Sequence, residues 1–494
     1  MTSLILPPGY HDQSPVVARN QSRYRDQFYN RLRAKYDAAQ TSDENERHWA
    51  NADFLSPNTA LSPAIRRRVR SRARYEAQEN NSHAKGMCLT MATDVVGTGP
   101  RIQLKTRNRE GNQRVERLIQ KWFRAIKLRS LLTTAVMAET IDGAAWFAKT
   151  TNRKLPTDVK LSLRGFEDDY VDSPYLGSGE DQNGVQFDED RNPSKYYILK
   201  NHPGSSYGGI SVGGSSGEWK DASKYIHLFR VDRPGQDRGL SHLHPALPLL
   251  AMLRRFTLAV LAAAETAADF AAVMKTTAST VDPEKSPGGP LDAIPIEHRS
   301  MLTLPVGWDI TQLKSEHPTT TFEMFERRII GAYARCLLMP YNVAALDSSN
   351  HNYASGRLDD RGYWKYIGIK QCNLEEEVLL PSVREWYDEA AMIPGYLPGG
   401  MGPFDEWEYT VHWDQALHVD PQKEAIASET RIRSGVSNRV REMNADGQDY
   451  ETEDEIAAES YGVDLTTYRA ALLNAHFSNG NSTAATDGGP DATK

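Results

Sequence analysis

Apolar positions recur at helical spacing in some stretches of the chain and alternate in others, and the changes of period divide it into segments. Residues 1–40 carry no long apolar stripe and are polar and rich in Arg and Tyr, which predicts an N-terminal arm that orders on assembly. From Ser62 to Ala92 the pattern is helical, with Pro63 placed for a first turn. Val95–Leu104 reads as a turn entering a strand. Arg114–Phe123 reads as an amphipathic helix with Val115, Leu118, Ile119 and Trp122 on one face. Strands are predicted near Ala145–Lys149, Lys160–Leu163, Tyr196–Leu199 and Tyr225–Phe229, with a Gly/Ser-rich loop, His202–Trp219, between the last two.

The helical period then lengthens. His244–Thr277 predicts one helix of about 34 residues, roughly 50 Å long, with Pro245 and Pro248 confined to its first turns. Its middle, Leu258–Met274, is crowded with alanine, and small side chains let neighbouring helices approach closely. Glu265 and Asp269 share a face at i, i+4 and should meet water or a basic partner. Between Ala278 and Pro318, six prolines among short apolar pieces suit a small β-type excursion. A second helix opens on the capping-box letters Thr320–Glu323 and runs to Pro340. A polar loop follows, then an aromatic-rich helix from Tyr353 to Leu380, with Pro381 marking a kink or restart. Pro421 opens another helix, an acidic helical segment ends near Leu473, and the tail from Ser478 is low-complexity and predicted to be disordered.

Composition narrows the class. The 494 residues are 39% hydrophobic, which fits a folded chain of roughly three structural units. The apolar run Leu258–Ala264 falls far short of the roughly 18 residues of a membrane span, and Met1–Pro15 lacks the form of a secretory signal, so neither membrane insertion nor export is expected. Cys88, Cys336 and Cys372 are odd in number and widely spaced, as reduced, packed thiols would be. With 58 basic against 65 acidic residues the formal charge is −7, so the whole surface is not built to neutralise phosphates. Basic residues gather in Arg19–Lys35 and Arg66–Arg74, acidic ones in Asp446–Glu459. Arg66, Arg67, Arg68, Arg70, Arg72 and Arg74 read as the solvated side of a helix whose Ile65, Val69 and Ala73 face a core, with direct DNA contact as the alternative.

Familiar catalytic patterns are missing. No GxxxxGK[ST] loop, HExxH helix or zinc-like Cys/His spacing occurs. His242 and His244, two apart before the long helix, read as structural or solvated. Ser206 and Ser215 each centre a GxSxG match, but both lie in the Gly/Ser-rich loop and lack the strand-to-helix setting of a nucleophile elbow. Glu167, Asp168, Asp169 and Asp172 have the chemistry to hold divalent metal, yet their crowding in one turn predicts a solvated acidic loop. No catalytic residue, metal or cofactor is expected.

In order along the chain, several segments resemble the lambda-like family of phage portal proteins between about residues 30 and 440. They are Tyr36–Ala39 with Arg47–Trp49, Ala84–Gly86 through Val96–Pro100, Gly184–Asp188 followed by Lys195–Tyr197 and His202–Gly204, Arg233–Ser241, Tyr353–Arg357, and Trp413–Asp414 through Asp420–Glu424. Arg233–Ser241, just ahead of the long helix, is the most diagnostic.

The resemblance implies an α+β subunit of a dodecameric ring at one capsid vertex, with a central channel for double-stranded DNA. It divides the chain into a flexible arm (1–40), an α/β wing (41–242), stem helix 1 (243–278), a clip (279–318), stem helix 2 (319–340), a channel loop (341–352), a wing/channel helix with following strands (353–420), a crown (421–476) and a disordered tail (477–494). It further implies that Asn350, His351, Asn352, Arg327 and Arg328 line the channel, and that Ala263, Glu265, Ala267 and Asp269 lie at the stem interface between subunits. For Arg327 and Arg328 a salt bridge within or between subunits is an equal reading. The partners implied are eleven further copies, sequence-independent viral DNA, the large terminase subunit, head-tail completion proteins, and the major capsid and scaffold proteins. The place implied is the virion, after assembly in the host cytoplasm. A metal-dependent DNA-processing enzyme and a scaffold or tail adaptor without a channel are the alternatives.

Overall fold

The computed structural model describes residues 46–173, 183–205, 217–269, 273–276, 308–311, 319–349, 352–415, 421–445 and 447–478. The N-terminal arm, Ser206 and Ser215, most of the expected clip, Asn350, His351 and the tail from residue 479 lie outside them. Residues 46–56 form turns, and the rest, from Pro57, belongs to one compact unit.

Three helices begin that unit. α1 (Pro63–Arg74) starts at the proline whose missing N–H costs nothing in a first turn. A π-helical turn, Tyr75–Asn80, follows, and Asn81 then caps α2 (Ser82–Val96) by accepting the Ala84 N–H at 3.1 Å. After β1 (Arg101–Leu104), α3 (Arg109–Ala125) buries Val115, Ile119, Trp122 and Phe123, close to the stripe predicted from its spacing. α4 (Leu128–Asp142) has no sequence-predicted counterpart. Its buried side includes Glu139, Thr140 and Asp142, and the apolar Leu131, Met137 and Ala138 are only partly buried, so hydrophobicity alone traces no clean stripe.

Seven strands form two three-stranded antiparallel sheets and one side of a pair. β2 (Ala144–Thr151) lies between β3 (Leu161–Phe166) and β7 (Tyr225–Phe229), and β5 (Pro193–Leu199) lies between β4 (Val185–Phe187) and β6 (Gly217–Asp221). β1 pairs instead with a strand some three hundred residues later, β10 (Tyr409–His412), Arg101 opposite His412. The main core runs from Met87, Met91 and Ile119 through Trp122 and Phe147 to Trp386. Trp122 also donates its indole N–H to Leu161 O at 2.8 Å, so its polar edge is satisfied.

The helix expected over His244–Thr277 is shorter: α5 spans Leu247–Asp269, 23 residues. β8 (Val273–Thr276) then pairs with β9 (Trp308–Thr311). Val273 and Thr276 are β-branched and suit a strand better than a helix. α6 (Thr319–Ala334) returns beside α5, with Phe256 between Phe322 and Phe325 at ring separations of 5.8 and 4.5 Å. α7 (Tyr341–Ala345) and α8 (Tyr353–Leu374) follow. Pro381 stands in the first turn of a restarted helix, one of the two outcomes expected of it. The chain widens into a π-helical turn, Glu375–Leu379, and resumes as α9 (Leu380–Ala391), which relieves the clash of the proline ring with the preceding turn.

The C-terminal helices are α10 (Pro421–Arg433), α11 (Arg439–Ala445), α12 (Tyr450–Tyr461) and α13 (Leu465–Ser478). α12 meets β1 and α3 through polar contacts: Gln103 to Asp449 at 2.5 Å, Arg109 to Glu451 at 3.2 Å and Gln113 to Glu455 at 2.5 Å. Glu116 joins this seam and accepts the Leu104 N–H at 2.6 Å. Burial pushes its carboxyl up to about 7; the Leu104 bond opposes that, and the charges of Asp449, Glu451 and Glu455 add to it. A carboxyl with a raised pKa favours the folded arrangement at low pH and weakens it as pH rises from the ordinary glutamate range through about 7. Glu116→Gln is therefore expected to match the native melting temperature at pH 5 and exceed it at pH 8. Thermal scans at both values check this, and identical curves at pH 8 would discard it.

Candidate functional site

Four arginines on one face of α1 and one in the segment before α5 converge on the turn after β3. Asp168 is 2% exposed. It accepts from Arg238 Nη2 at 2.5 Å, Arg70 Nη2 at 2.7 Å, Arg66 Nη1 at 3.2 Å and the Trp146 indole at 2.8 Å. Asp169 pairs with Arg70 and Arg74 at 2.7 and 2.9 Å, and Arg74 takes Asp142 through two 2.7 Å bonds. Glu167 lies 3.3 Å from Arg74 and Asp172 2.7 Å from Arg67. Arg66, Arg67, Arg70, Arg74 and Arg238 thus stand against Asp142, Glu167, Asp168, Asp169 and Asp172, five charges of each sign. Buried ions persist only when paired and hydrogen-bonded in this way.

One expectation is overturned here and another holds only in part. The acidic turn is not a solvated loop, since Asp168 and Asp169 are buried; and the arginine face of α1 is solvated only at Arg67, Arg68 and Arg72, since Arg66 and Arg70 are buried while Ile65 is 46% exposed. Val69 and Ala73 do meet the core as expected, so the acidic turn and the core share the buried side of the helix. Burial pushes the Asp168 carboxyl up, but the guanidinium groups of Arg238, Arg70 and Arg66 and the Trp146 bond prevail and hold it well below the usual range.

Arg238 explains the diagnostic segment Arg233–Ser241. Its side chain is fully buried, donates also to Asn183 O at 2.6 Å and Val171 O at 3.2 Å, and lies over the Trp146 ring at 5.4 Å. The next residue must be glycine, because a Cβ on Gly239 would fall 1.9 Å from Gly143 O. Gly143 itself has φ +97°, which ends α4. His242, 1% exposed, donates its backbone N–H to Thr140 O at 3.0 Å, and burial holds its imidazole well below its ordinary pKa; of the two expected settings it is the buried one, not the solvated one.

Glu167, Asp169 and His202 bring three metal-competent atoms within 4.8 Å. The chemistry opposes a metal there. His202 Nδ1 accepts the Gly204 N–H at 3.0 Å, which leaves the proton on Nε2, the atom facing Glu167 at 3.0 Å. The two carboxylates already face Arg74, and a cation would have to displace it.

The residues expected at the channel and stem lie on α5, α6 and the start of α8. On α5, Ala263 and Glu265 are exposed, while the Ala267 and Asp269 side chains lie outside the described residues. Met252, Leu258 and Leu261 are 49%, 57% and 55% exposed. Leu247–Glu265 has a mean hydropathy of 1.6, so by length and composition it is long and apolar enough to cross a membrane, contrary to the reading of its short uninterrupted run. Arg254 and Arg255 sit near its middle, each costing about 2.5–3.5 kcal/mol at a bilayer centre. Arg254 also donates to Tyr75 Oη at 3.1 Å. Arg327 lies 4.7 Å over the Tyr341 ring, and Arg328 is exposed. Asn352 caps α8 in a capping box with Ser355, accepting its N–H at 2.9 Å. Leu346, in the loop, is 84% exposed with φ +52°.

Residues 43–371 match the family model described as phage portal protein, lambda family. A protein of Halomonas phage phiHAP-1 described as "Probable portal protein" is 28% identical over 319 residues, 60% of this chain and 59% of that protein; the match thus spans less than two thirds of the relative's length. Among solved structures, the neck of a native gene transfer agent particle with C12 symmetry aligns over 76% of this chain and 90% of its own, at 12% identity and a TM-score of 0.43. The virion of the native gene transfer agent particle aligns over 77% and 93%, at 12% identity and a TM-score of 0.44. With the family model covering well over half of its residues, the chain belongs to the lambda family of phage portal proteins.

Proposed function

We propose that the chain forms a closed ring of identical subunits, twelve in the assembled particle, whose α5–α6 pair is the stem around a channel for double-stranded DNA. The observation that carries this reading is the apolar surface of α5, with Met252, Leu258 and Leu261 exposed around a helix that the subunit itself covers poorly. Burying such a surface against the next copy removes it from water and closes a ring when each contact is heterologous. The fence of helices needs no catalysis: the wall must let phosphates slide, so it reads no base edges and holds them weakly. Asn352, Arg327 and Arg328 are the described residues offered to that wall, with Asn350 and His351 beside them in sequence. The ring would sit in the virion at the portal vertex and receive terminase, head-tail completion, capsid and scaffold proteins there.

Electron microscopy and light scattering of the purified full chain test the reading. Rings with an axial hole are expected, and a monomer at high concentration would end it. A nuclease reading is disfavoured by the arginines that already occupy Glu167, Asp168, Asp169 and Asp172.

A further inference from the structure

β3 is an edge strand, paired with β2 alone. In an antiparallel pair alternate residues turn their N–H and C=O groups away from the partner strand; Asn152 N–H bonds Lys160 O, so in β3 these are Leu161, Leu163 and Gly165, and with Leu161 O taken by Trp122 the open groups are those of Leu163 and Gly165. Among the described residues, no backbone group bonds to Ser162–Phe166 from that side. A row of this kind is a template for a further strand.

Two open cavities, of about 490 and 680 Å³, adjoin along this edge and share Arg164 and Gly165. The register puts Ser162, Arg164 and Phe166 on the face that carries Thr150, Ala148 and Tyr225. Arg153 and Lys154 from the β2–β3 turn line the larger cavity, and Lys200 with Tyr170 line the smaller. Glu167 is the one carboxylate lining either, and it is already engaged by Arg74 at 3.3 Å and His202 at 3.0 Å. Lys200 is shared with the exposed Glu218 at 2.8 Å, and Arg153, Lys154 and Arg164 form no ion pair among the described residues, which leaves them as the positive edge. The groove therefore combines open main-chain groups, cationic side chains and, at its inner end, aromatic rings.

We propose that this edge docks an extended acidic segment of a partner protein, which adds to β3 as a fourth strand. Its alternating carboxylates meet Arg164, Lys154 and Arg153 on the face that carries Phe166, and its intervening side chains turn to the opposite face of the sheet. Main-chain pairing supplies affinity and the alternation supplies register. The site is independent of ring closure through α5.

The test uses the full chain and three labelled peptides at physiological salt: acetyl-Glu-Val-Glu-Val-Glu-Val-Glu-amide, a block peptide of the same composition (Glu-Glu-Glu-Glu-Val-Val-Val), and the lysine analogue of the first. Fluorescence anisotropy should show saturable binding of the alternating acidic peptide, at least about tenfold tighter than either of the others. Arg164→Glu, an exposed position, should weaken it by about tenfold or more with an unchanged melting curve. Hydrogen exchange should slow at Leu163 and Gly165 on binding. Equal affinity for the block peptide would reduce the effect to simple charge attraction and overturn the proposal. So would no saturable binding up to about 1 mM, unchanged binding by Arg164→Glu, or protection of these amides by a short DNA duplex and not by the peptide.

Discussion

Asp168→Asn lowers the stability of the subunit by about 3–5 kcal/mol, the expected cost of removing one partner from a buried ion cluster. Asparagine keeps the shape and can still accept the Trp146 N–H. The loss is therefore electrostatic: Arg238, with a fully buried side chain, and Arg66, 3% exposed, no longer face a carboxylate, while Arg70 keeps Asp169. A melting point lower by on the order of 10 °C follows for a cooperative unit of a few hundred residues. Asp172→Asn is the matched control, because its partner Arg67 is half exposed and such pairs contribute about 0–1 kcal/mol. Thermal denaturation of both variants decides the matter; equal shifts would mean the cluster stabilises no more than a surface pair does.

The same cluster fixes a pH signature. The Asp168 carboxyl is held below its ordinary range in the folded chain, after burial, which alone would raise it, is outweighed by the three arginines and Trp146. Its contribution is thus complete above the unfolded aspartate pKa of about 3.9 and is lost as pH falls through the depressed folded value. The gap between native chain and Asp168→Asn should stay constant from pH 6 to 8 and narrow only below about pH 4.

Local periodicity carried some elements through to the structure and lost others for definable reasons. The strand over Tyr225–Phe229 was legible through its alternation of fully and partly buried residues, and α3 through the apolar face it buries beneath a solvated one. α4 was not, since Glu139, Thr140 and Asp142 sit on its buried side and blur the contrast along it. The α5 helix was overextended because Val273–Thr276, read with it, forms a strand instead. The ion cluster was hidden by distance in sequence: Arg66 and Arg238 reach Asp168 across 102 and 70 positions. Clustered Arg and Asp ordinarily signal solvent, and only the knowledge that they meet reverses that reading. One signal was available, since Arg238 sits in the segment most diagnostic of the family. What made Arg233–Ser241 recognisable is a structural demand, a guanidinium in the cluster followed by a glycine pressed on Gly143.

Ala263→Leu is expected to abolish or weaken ring formation without unfolding the subunit. Ala263 is exposed on α5, so in the isolated chain a leucine meets water, and exposed substitutions of this kind change stability by less than about 0.5 kcal/mol. In a ring, the position lies in a seam of small side chains, where added methylenes cost about 1–3 kcal/mol through displaced neighbours. That penalty recurs at every contact and weakens each by roughly 5- to 150-fold. Light scattering after size exclusion should therefore move from ring to subunit mass at the same protein concentration, while circular dichroism and the melting curve remain native. Ala263→Ser, which keeps the side chain small, should retain rings and separates a steric seam from mere sensitivity of the site. Native rings from Ala263→Leu would place the subunit contact on another face of the stem, and with it the whole reading of α5 as the ring-forming helix would fail.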